Sequence, residues 1–141
     1  MKNIETIHAS IMVIGDEILS GRTKDTNSNT IALFLAPFGI QLREIRIIGD
    51  DEAKIIKTLN ELRNENDYVF TTGGIGPTHD DITADAVAKA FGIGISIRED
   101  AIEMMLNRYK REELTEARLR MARIPDGASL IKNPVSYAPG F

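Results

Sequence analysis

Thr71-Thr72-Gly73-Gly74-Ile75-Gly76-Pro77-Thr78-His79-Asp80-Asp81 joins two stretches of different periodicity. Before it, Tyr68, Val69 and Phe70 run into the two threonines as the aromatic and β-branched series of a strand. After it, Ile82, Ala86, Val87, Ala90 and Phe91 share one side of a helix that Asp81 opens and Gly92 ends. A strand that passes through glycines into a helix N-terminus is the βα turn of a parallel sheet. Its glycines let backbone N–H groups approach an anion closely, and the helix start adds about half a positive charge. A phosphate fits such a turn. The run is not a P-loop, because no Gly-Lys-Ser/Thr follows, and Gly-Gly-x-Gly lacks the spacing of the dinucleotide fingerprint. With no lysine in the turn, phosphate charge has to be balanced by backbone donors and by a divalent metal such as Mg²⁺ held by Asp81 or its neighbours. A tight turn that merely needs glycine geometry accounts for the same glycines, so they do not decide the matter alone.

Upstream the pattern repeats. Ile7 to Ile14 is apolar apart from His8 and Ser10 and stops at Gly15, as a strand buried on both faces does. Asp25 and Asn27 then offer helix caps. Ile31, Leu33, Phe34, Leu35 and Phe38 form the apolar side of a helix over about 26–37, stopped by Pro37 and Gly39. Ile40 to Ile48 makes a second strand closing at Gly49, and Asp51 caps a helix carrying Ile55, Ile56, Leu59 and Leu62 at helical spacing. Downstream, Ile93 to Ile97 reads as a short fourth strand. The charged stretch from Glu99 to about Met121 reads as one amphipathic helix on Ile102, Met105, Leu106 and Tyr109. Pro125, Gly127, Pro134, Pro139 and Gly140 mark a loop-rich closing segment, with Leu130 and Ile131 as a candidate edge strand. Strands alternating with helices over short connections require right-handed crossovers and an open parallel sheet covered on both faces. The expected fold class is α/β, one domain over residues 1–141.

Composition narrows the function. The chain has 141 residues, enough for one core, with 43% apolar and 27% charged residues and no cysteine. Disulfides, thiolate metal sites and a cysteine nucleophile are excluded. A net charge of −4 opposes a dedicated nucleic-acid binder, while leaving a nucleotide-sized ligand open. The longest apolar run, Ile31 to Ala36, is far short of the roughly 20 residues that span a bilayer. A cytoplasmic chain without membrane contact is expected.

Three acidic clusters follow three successive strands: Asp16 and Glu17, then Asp50, Asp51 and Glu52, then Asp80 and Asp81. In a parallel sheet these ends share the edge where open α/β sheets bind ligands. Like charges about 4 Å apart repel by about 4 kcal/mol at an effective dielectric of 20, so gathered carboxylates call for a cation, a proton or wide spacing. Asp51 and Asp81 also serve as helix caps, each contributing about 1 kcal/mol. His79, in the turn, is a candidate general acid or base or a phosphate donor, whereas His8 reads as a buried structural histidine. Asn27, Ser28 and Asn29 are secondary candidates at the start of the first long helix.

Together these residues resemble the molybdopterin-binding (MoaB/MogA-like) superfamily, which includes molybdopterin adenylyltransferases, and within it the N-terminal domain of the competence/damage-inducible CinA family. The resemblance rests on Gly15-Asp16-Glu17-Ile18-Leu19-x-Gly21, Asp25-x-Asn27, Gly49-Asp50-Asp51, Thr72-Gly73-Gly74-x-Gly76-Pro77-Thr78-x-Asp80-Asp81-Ile82-Thr83, and the later Ile124-Pro125-x-Gly127-Ala128 and Asn133-Pro134-Val135 with Ala138-Pro139-Gly140-Phe141. Ser136 departs from the glycine common in CinA-like chains. The resemblance implies a three-layer α/β/α sandwich around a mostly parallel sheet, a homo-oligomer, trimer or dimer, and a domain that continues past Phe141. It implies that Gly73, Gly74 and Gly76 cradle a pterin phosphate or pyrophosphate, with Gly15, Asp16, Glu17, Asn27, Thr72, Pro77, Thr78 and His79 around the ligand. Asp51 and Asp81 match acids of metal-assisted phosphoryl chemistry, with Asp80 as a further metal ligand. Three functions stay open: binding of molybdopterin with adenylyl transfer from ATP, cleavage of ADP-ribose as a metal-dependent pyrophosphatase, and a catalytically silent oligomerisation or regulatory module.

Overall fold

Strand β1, His8–Ile14, is inaccessible from Ala9 onward, and that burial organises everything before Gly74. The computed structural model describes residues 5–141. The chain divides into two compact units, one up to Gly73 and one from Gly74 to Phe141.

In the first unit β1 is followed by a single helical turn, α1 (Asp16–Leu19), and by α2 (Asn27–Leu35). Strand β2 (Gln41–Ile48), helix α3 (Glu52–Glu65) and strand β3 (Tyr68–Thr72) complete it. All three strands are parallel, in the order β2-β1-β3. The step from β1 to β2 runs one way and the step from β2 to β3 runs back across β1. Right-handed crossovers therefore put α2 and α3 on opposite faces of the sheet. Helix α3 buries Ile55, Leu59 and Leu62 of its expected stripe together with Thr58, while Ile56 is only half-buried.

Helix α2 corrects the sequence reading. Of its expected apolar side only Leu35 is buried, at 2% exposure, while Leu33, Phe34 and Phe38 stand 66–68% exposed. Residues 33, 34 and 35 point about 100° apart around a helix, so one of the three can face the sheet. His8, expected inside a buried strand, opens β1 and is only half-buried.

The second unit starts with the glycine turn and α4 (Thr83–Phe91), closed by Gly92 in the left-handed conformation. Strand β4 (Ile95–Ile97), helix α5 (Glu99–Met105), helix α6 (Glu116–Leu119) and strand β5 (Arg123–Pro125) follow. The expected fourth strand exists, but it pairs antiparallel with β5 in a sheet of two, so the parallel sheet stops at three. The expected long helix over Glu99–Met121 is broken. After Met105 the Asn107 amide donates to the carbonyls of Glu103 and Met104, competing with continued helix. Tyr109 then turns under the guanidinium groups of Arg118 (4.4 Å) and Arg108 (5.6 Å), and Thr115 caps α6. A core of Ala101, Met105, Ala122 and Ile124 gathers Leu114, Leu130 and Phe141 around it. The candidate edge strand at Leu130 and Ile131 is reduced to one antiparallel bridge, Ile131 with Gly140.

Among the described residues no helix is long and apolar enough to cross a membrane. The α2 correction is open to a direct check by urea unfolding. Leu62→Ala, on the buried face of α3, is expected to cost about 2–5 kcal/mol, whereas Leu33→Ala should stay within about 0.5 kcal/mol.

Candidate functional site

The two crossovers leave the carboxyl ends of β1 and β2 for opposite faces of the sheet, and this carboxyl edge is where open α/β sheets bind ligands. A cavity of about 170 Å³ lies there, lined by Ile14, Glu17, Lys24, Asn27, Thr72 and Gly73 among others. Its floor depends on Gly73. That residue has φ +90°, and any Cβ on it would collide with the Ile14 carbonyl oxygen. Asp25 shapes the rim by accepting the backbone N–H and hydroxyl of Ser28, which fixes the start of α2 and presents Asn27.

The acids of this unit are folded back onto the backbone. Asp16 N–H donates to the Asp50 carboxylate (3.1 Å) and Asp50 N–H donates to that of Asp16 (3.2 Å), a reciprocal tie between the ends of β1 and β2. Gly49 leaves the room in which the Asp16 carboxylate sits, and the Glu17 carboxylate lies 2.6 Å from where a Gly15 Cβ would stand. Asp51 accepts from Lys54 N–H at 2.9 Å and caps α3, so one of its oxygens is engaged structurally.

In the second unit, Gly74 has φ +67°, and its carbonyl receives Thr83 N–H at 3.0 Å. The Asp81 carboxylate closes the turn upon itself, one oxygen accepting both the N–H and the hydroxyl of Thr78 at 2.8 Å. It nestles 2.8–3.2 Å from the position of a Gly76 Cβ. Asp81 was expected to open the helix; instead α4 begins at Thr83 and Asp81 locks the turn before it. Arg120 reaches this turn from 42 residues further on, with Nε on the Thr78 carbonyl (3.1 Å) and Nη2 on the Asp81 carbonyl (3.3 Å). Arg123 makes a two-pronged pair with Asp85 at 3.0 and 2.8 Å. Pro77, Thr78, His79 and Asp80 are exposed, and His79 Nε2 lies 3.4 Å from Asp80.

Thus Gly15, Asp16, Glu17, Asn27, Thr72 and Gly73 gather at the strand ends of the first unit, and Gly74, Gly76, Thr78 and Asp81 form one knot in the second. Sequence reading missed Arg120 and Arg123. The only signal for Arg120 was indirect, a glycine turn with no cation of its own.

A sequence model of the family described as "Probable molybdopterin binding domain" matches residues 10–141. The chain belongs to that family. It is 39% identical over 141 residues to a protein of Sulfolobus acidocaldarius, covering 98% of this chain and 53% of the relative. It is 41% identical over 134 residues to protein Ta0487 of Thermoplasma acidophilum, covering 95% and 52%. The chain spans about half the length of these curated relatives. Among solved structures it is similar to the protein CinA, of unknown function, from Thermoplasma acidophilum, at 41% identity and TM-score 0.86, covering 94% of this chain and 79% of that one. The molybdopterin biosynthesis enzyme MoaB from Thermus thermophilus shares the fold at 20% identity and TM-score 0.58, covering 94% and 85%. The tungsten cofactor synthesizing MoaB from Pyrococcus furiosus does so at 23% and 0.58, covering 82% and 69%. The molybdopterin-binding and CinA-like resemblance of the motifs and the α/β fold class both hold.

The glycines separate by what surrounds them. Gly73→Ala adds a backbone collision to a left-handed φ and is expected to cost more than about 3 kcal/mol in urea unfolding. Gly21→Ala, with a similar φ and open space around it, should cost about 1–2 kcal/mol.

Proposed function

We propose that this family domain binds a phosphorylated pterin or nucleotide at the glycine turn and catalyses phosphoryl chemistry there with a divalent cation. The observation that carries the reading is the Gly74–Asp81 turn, which holds a carboxylate at a glycine-lined anion cradle. Backbone N–H groups of Gly74 to Gly76 would hold phosphate oxygens, since glycines permit close approach. His79 stands at the exposed side of the turn, where it would donate to the ligand, while Thr78, whose N–H and hydroxyl both serve Asp81, would offer only its hydroxyl oxygen as an acceptor.

The donor set suits Mg²⁺ in one specific way. Among the described residues no group of three or more His, Asp and Glu side chains could hold a metal ion. Mg²⁺, however, is commonly held by one or two carboxylates together with substrate phosphates. Asp81 would be that carboxylate, because its second oxygen has no partner among the turn's hydrogen bonds, with Asp80 beside it. Asp51 would act at the end of β2 with the oxygen its cap leaves over. Mg²⁺ or another divalent ion, when bound, would offset charge on a diphosphate leaving group.

In the first form of the reaction, a terminal phosphate oxygen of molybdopterin attacks the α-phosphorus of ATP. A new P–O bond forms and the α–β anhydride breaks, releasing pyrophosphate. The protein contributes alignment and fixed donors toward the charge that develops. The second form is the one the CinA-like resemblance of the motifs implies: water attacks the pyrophosphate of ADP-ribose, giving AMP and ribose 5-phosphate.

Asp81→Asn is the informative substitution, since an amide oxygen can still accept from Thr78 while the charge is gone. With ADP-ribose and Mg²⁺, Mn²⁺ or Co²⁺, AMP measured by chromatography is expected from the parent, with at least about a 100-fold lower rate in Asp81→Asn. Pyrophosphate release from ATP and molybdopterin without AMP from ADP-ribose would select the first form. No product and no calorimetric binding of either substrate would defeat both and leave the silent module.

A further inference from the structure

Four arginines of the described chain are paired with acids. Arg46 binds Glu44 and Glu61, Arg98 binds Asp100, Arg111 meets Glu99 and Arg123 binds Asp85. Each ends on a carboxylate. Arg120, like Arg43 and Arg118, ends on backbone carbonyls instead, and of these three it is the one that ends on the glycine turn. It is half-buried, and its two hydrogen bonds go to neutral carbonyls, those of Thr78 and Asp81. Among the described residues no carboxylate lies within ion-pair distance of it. Its positive charge is therefore held in place without being neutralised.

That charge stands at the turn which lacks a lysine. Arg120 borders a small enclosed pocket with Gly74, Gly76 and Asp81 on one side. On the other it borders an open cavity of about 500 Å³ with Pro77, Thr78, His79, Glu116 and Ala117. A guanidinium carries five N–H donors in a flat fork, and two are used on the turn. The remaining ones suit two oxygens of a phosphate, the geometry in which arginine exceeds lysine.

We propose that Arg120 is the anion-anchoring residue of the glycine turn: two donors hold the Thr78–Asp81 turn in shape while the rest of the fork binds a phosphate or diphosphate entering the open cavity. The inference rests on the phosphate-binding reading above and names the side chain that supplies its charge. Arg120 positions the turn and contacts the ligand with one group, so ligand charge and turn geometry are coupled through it.

The test is calorimetric titration of the purified chain with inorganic pyrophosphate at several KCl concentrations, beside Arg120→Gln, Arg120→Lys and Arg98→Gln. Arg98→Gln breaks a carboxylate pair elsewhere in the same unit and reports general destabilisation. Arg120→Gln is expected to weaken binding at least about tenfold, the scale of one charge-assisted hydrogen bond. It should also flatten the dependence on KCl, because one fewer charge is screened. Arg120→Lys keeps the charge without the fork and should weaken binding several-fold, which decides the matter if Arg120→Gln does not fold. Parent affinity and parent salt dependence in the folded Arg120 variants would overturn the proposal while leaving the phosphate reading standing. An equal loss in Arg98→Gln would overturn it as well. A parent chain that binds no pyrophosphate would overturn the reading and the proposal together.

Discussion

Strand β1 is hydrogen-bonded on both edges and sealed on both faces, and that single constraint drives the polar chemistry of the first unit to the strand ends. Between Ala9 and Ile14 no side chain can reach solvent, and even Ser10 is enclosed with its hydroxyl unpartnered. A buried backbone must have all its N–H and C=O groups satisfied, which the parallel neighbours β2 and β3 do. The chain can turn polar only after Ile14. It does so at once, with Gly15, Asp16 and Glu17, and the partner strand does the same at Gly49, Asp50 and Asp51. The reciprocal bonds between Asp16 and Asp50 then join the two ends, so that the edge of the sheet is fixed by the acids that decorate it.

A second regularity follows from glycine chemistry. At Gly15, Gly49 and Gly76 the space a Cβ would fill is taken by a carboxylate, from Glu17, Asp16 and Asp81 respectively. The missing side chain is commonly read as freedom of the backbone, yet none of these three lies in the left-handed region. What each supplies is room, allowing a charged oxygen to lie against the main chain. An anion cradle made only of N–H groups would favour phosphate without limit. One made of N–H groups with a carboxylate folded into it repels a bare anion, so under the proposed function phosphate would have to arrive with a cation or beside an arginine.

The sequence was most legible where period and punctuation agreed. Strand β3 was read at its observed bounds because aromatic and β-branched residues run straight into glycine, and α3 was read from Asp51 and a clean 3.6-residue stripe. The reading failed where apolar residues are adjacent instead of periodic, as at Leu33, Phe34 and Leu35. It failed again where a side chain captures backbone carbonyls, as Asn107 does. Strand β5 was hidden because its pairing with β4 is long-range and it ends in a proline, which composition reads as loop. The glycine turn and Asp81 were visible because a local run of sequence builds them. Arg120 was not, since its role comes from reaching Thr78 and Asp81 across 42 residues, and no local pattern encodes such a reach.

The same distinction between local and distant groups bears on which ligand the domain takes. Backbone donors and a metal recognise phosphate without regard to what carries it, so under the proposed function the turn would not itself choose among a pterin phosphate, ATP and ADP-ribose. Selection among them must come from side chains that meet the rest of the molecule. In the first unit Lys24, Asn27 and Thr72 line the crevice at the strand ends, where they would meet a polar ring edge or a ribose. In the second, Pro77 and Ala117 give the open cavity flat apolar walls, with His79 and Glu116 at its sides. A heterocycle lying on Pro77 would leave His79 and Glu116 to read its edge, and a purine and a pterin differ most in the order of donors and acceptors there. Pro77 and His79 sit on an exposed loop and Glu116 and Ala117 on the short helix α6, outside the sealed core. Under the proposed function, a fold whose sheet tolerates so little change would keep its glycine turn while altering selectivity through residues outside the sealed strand.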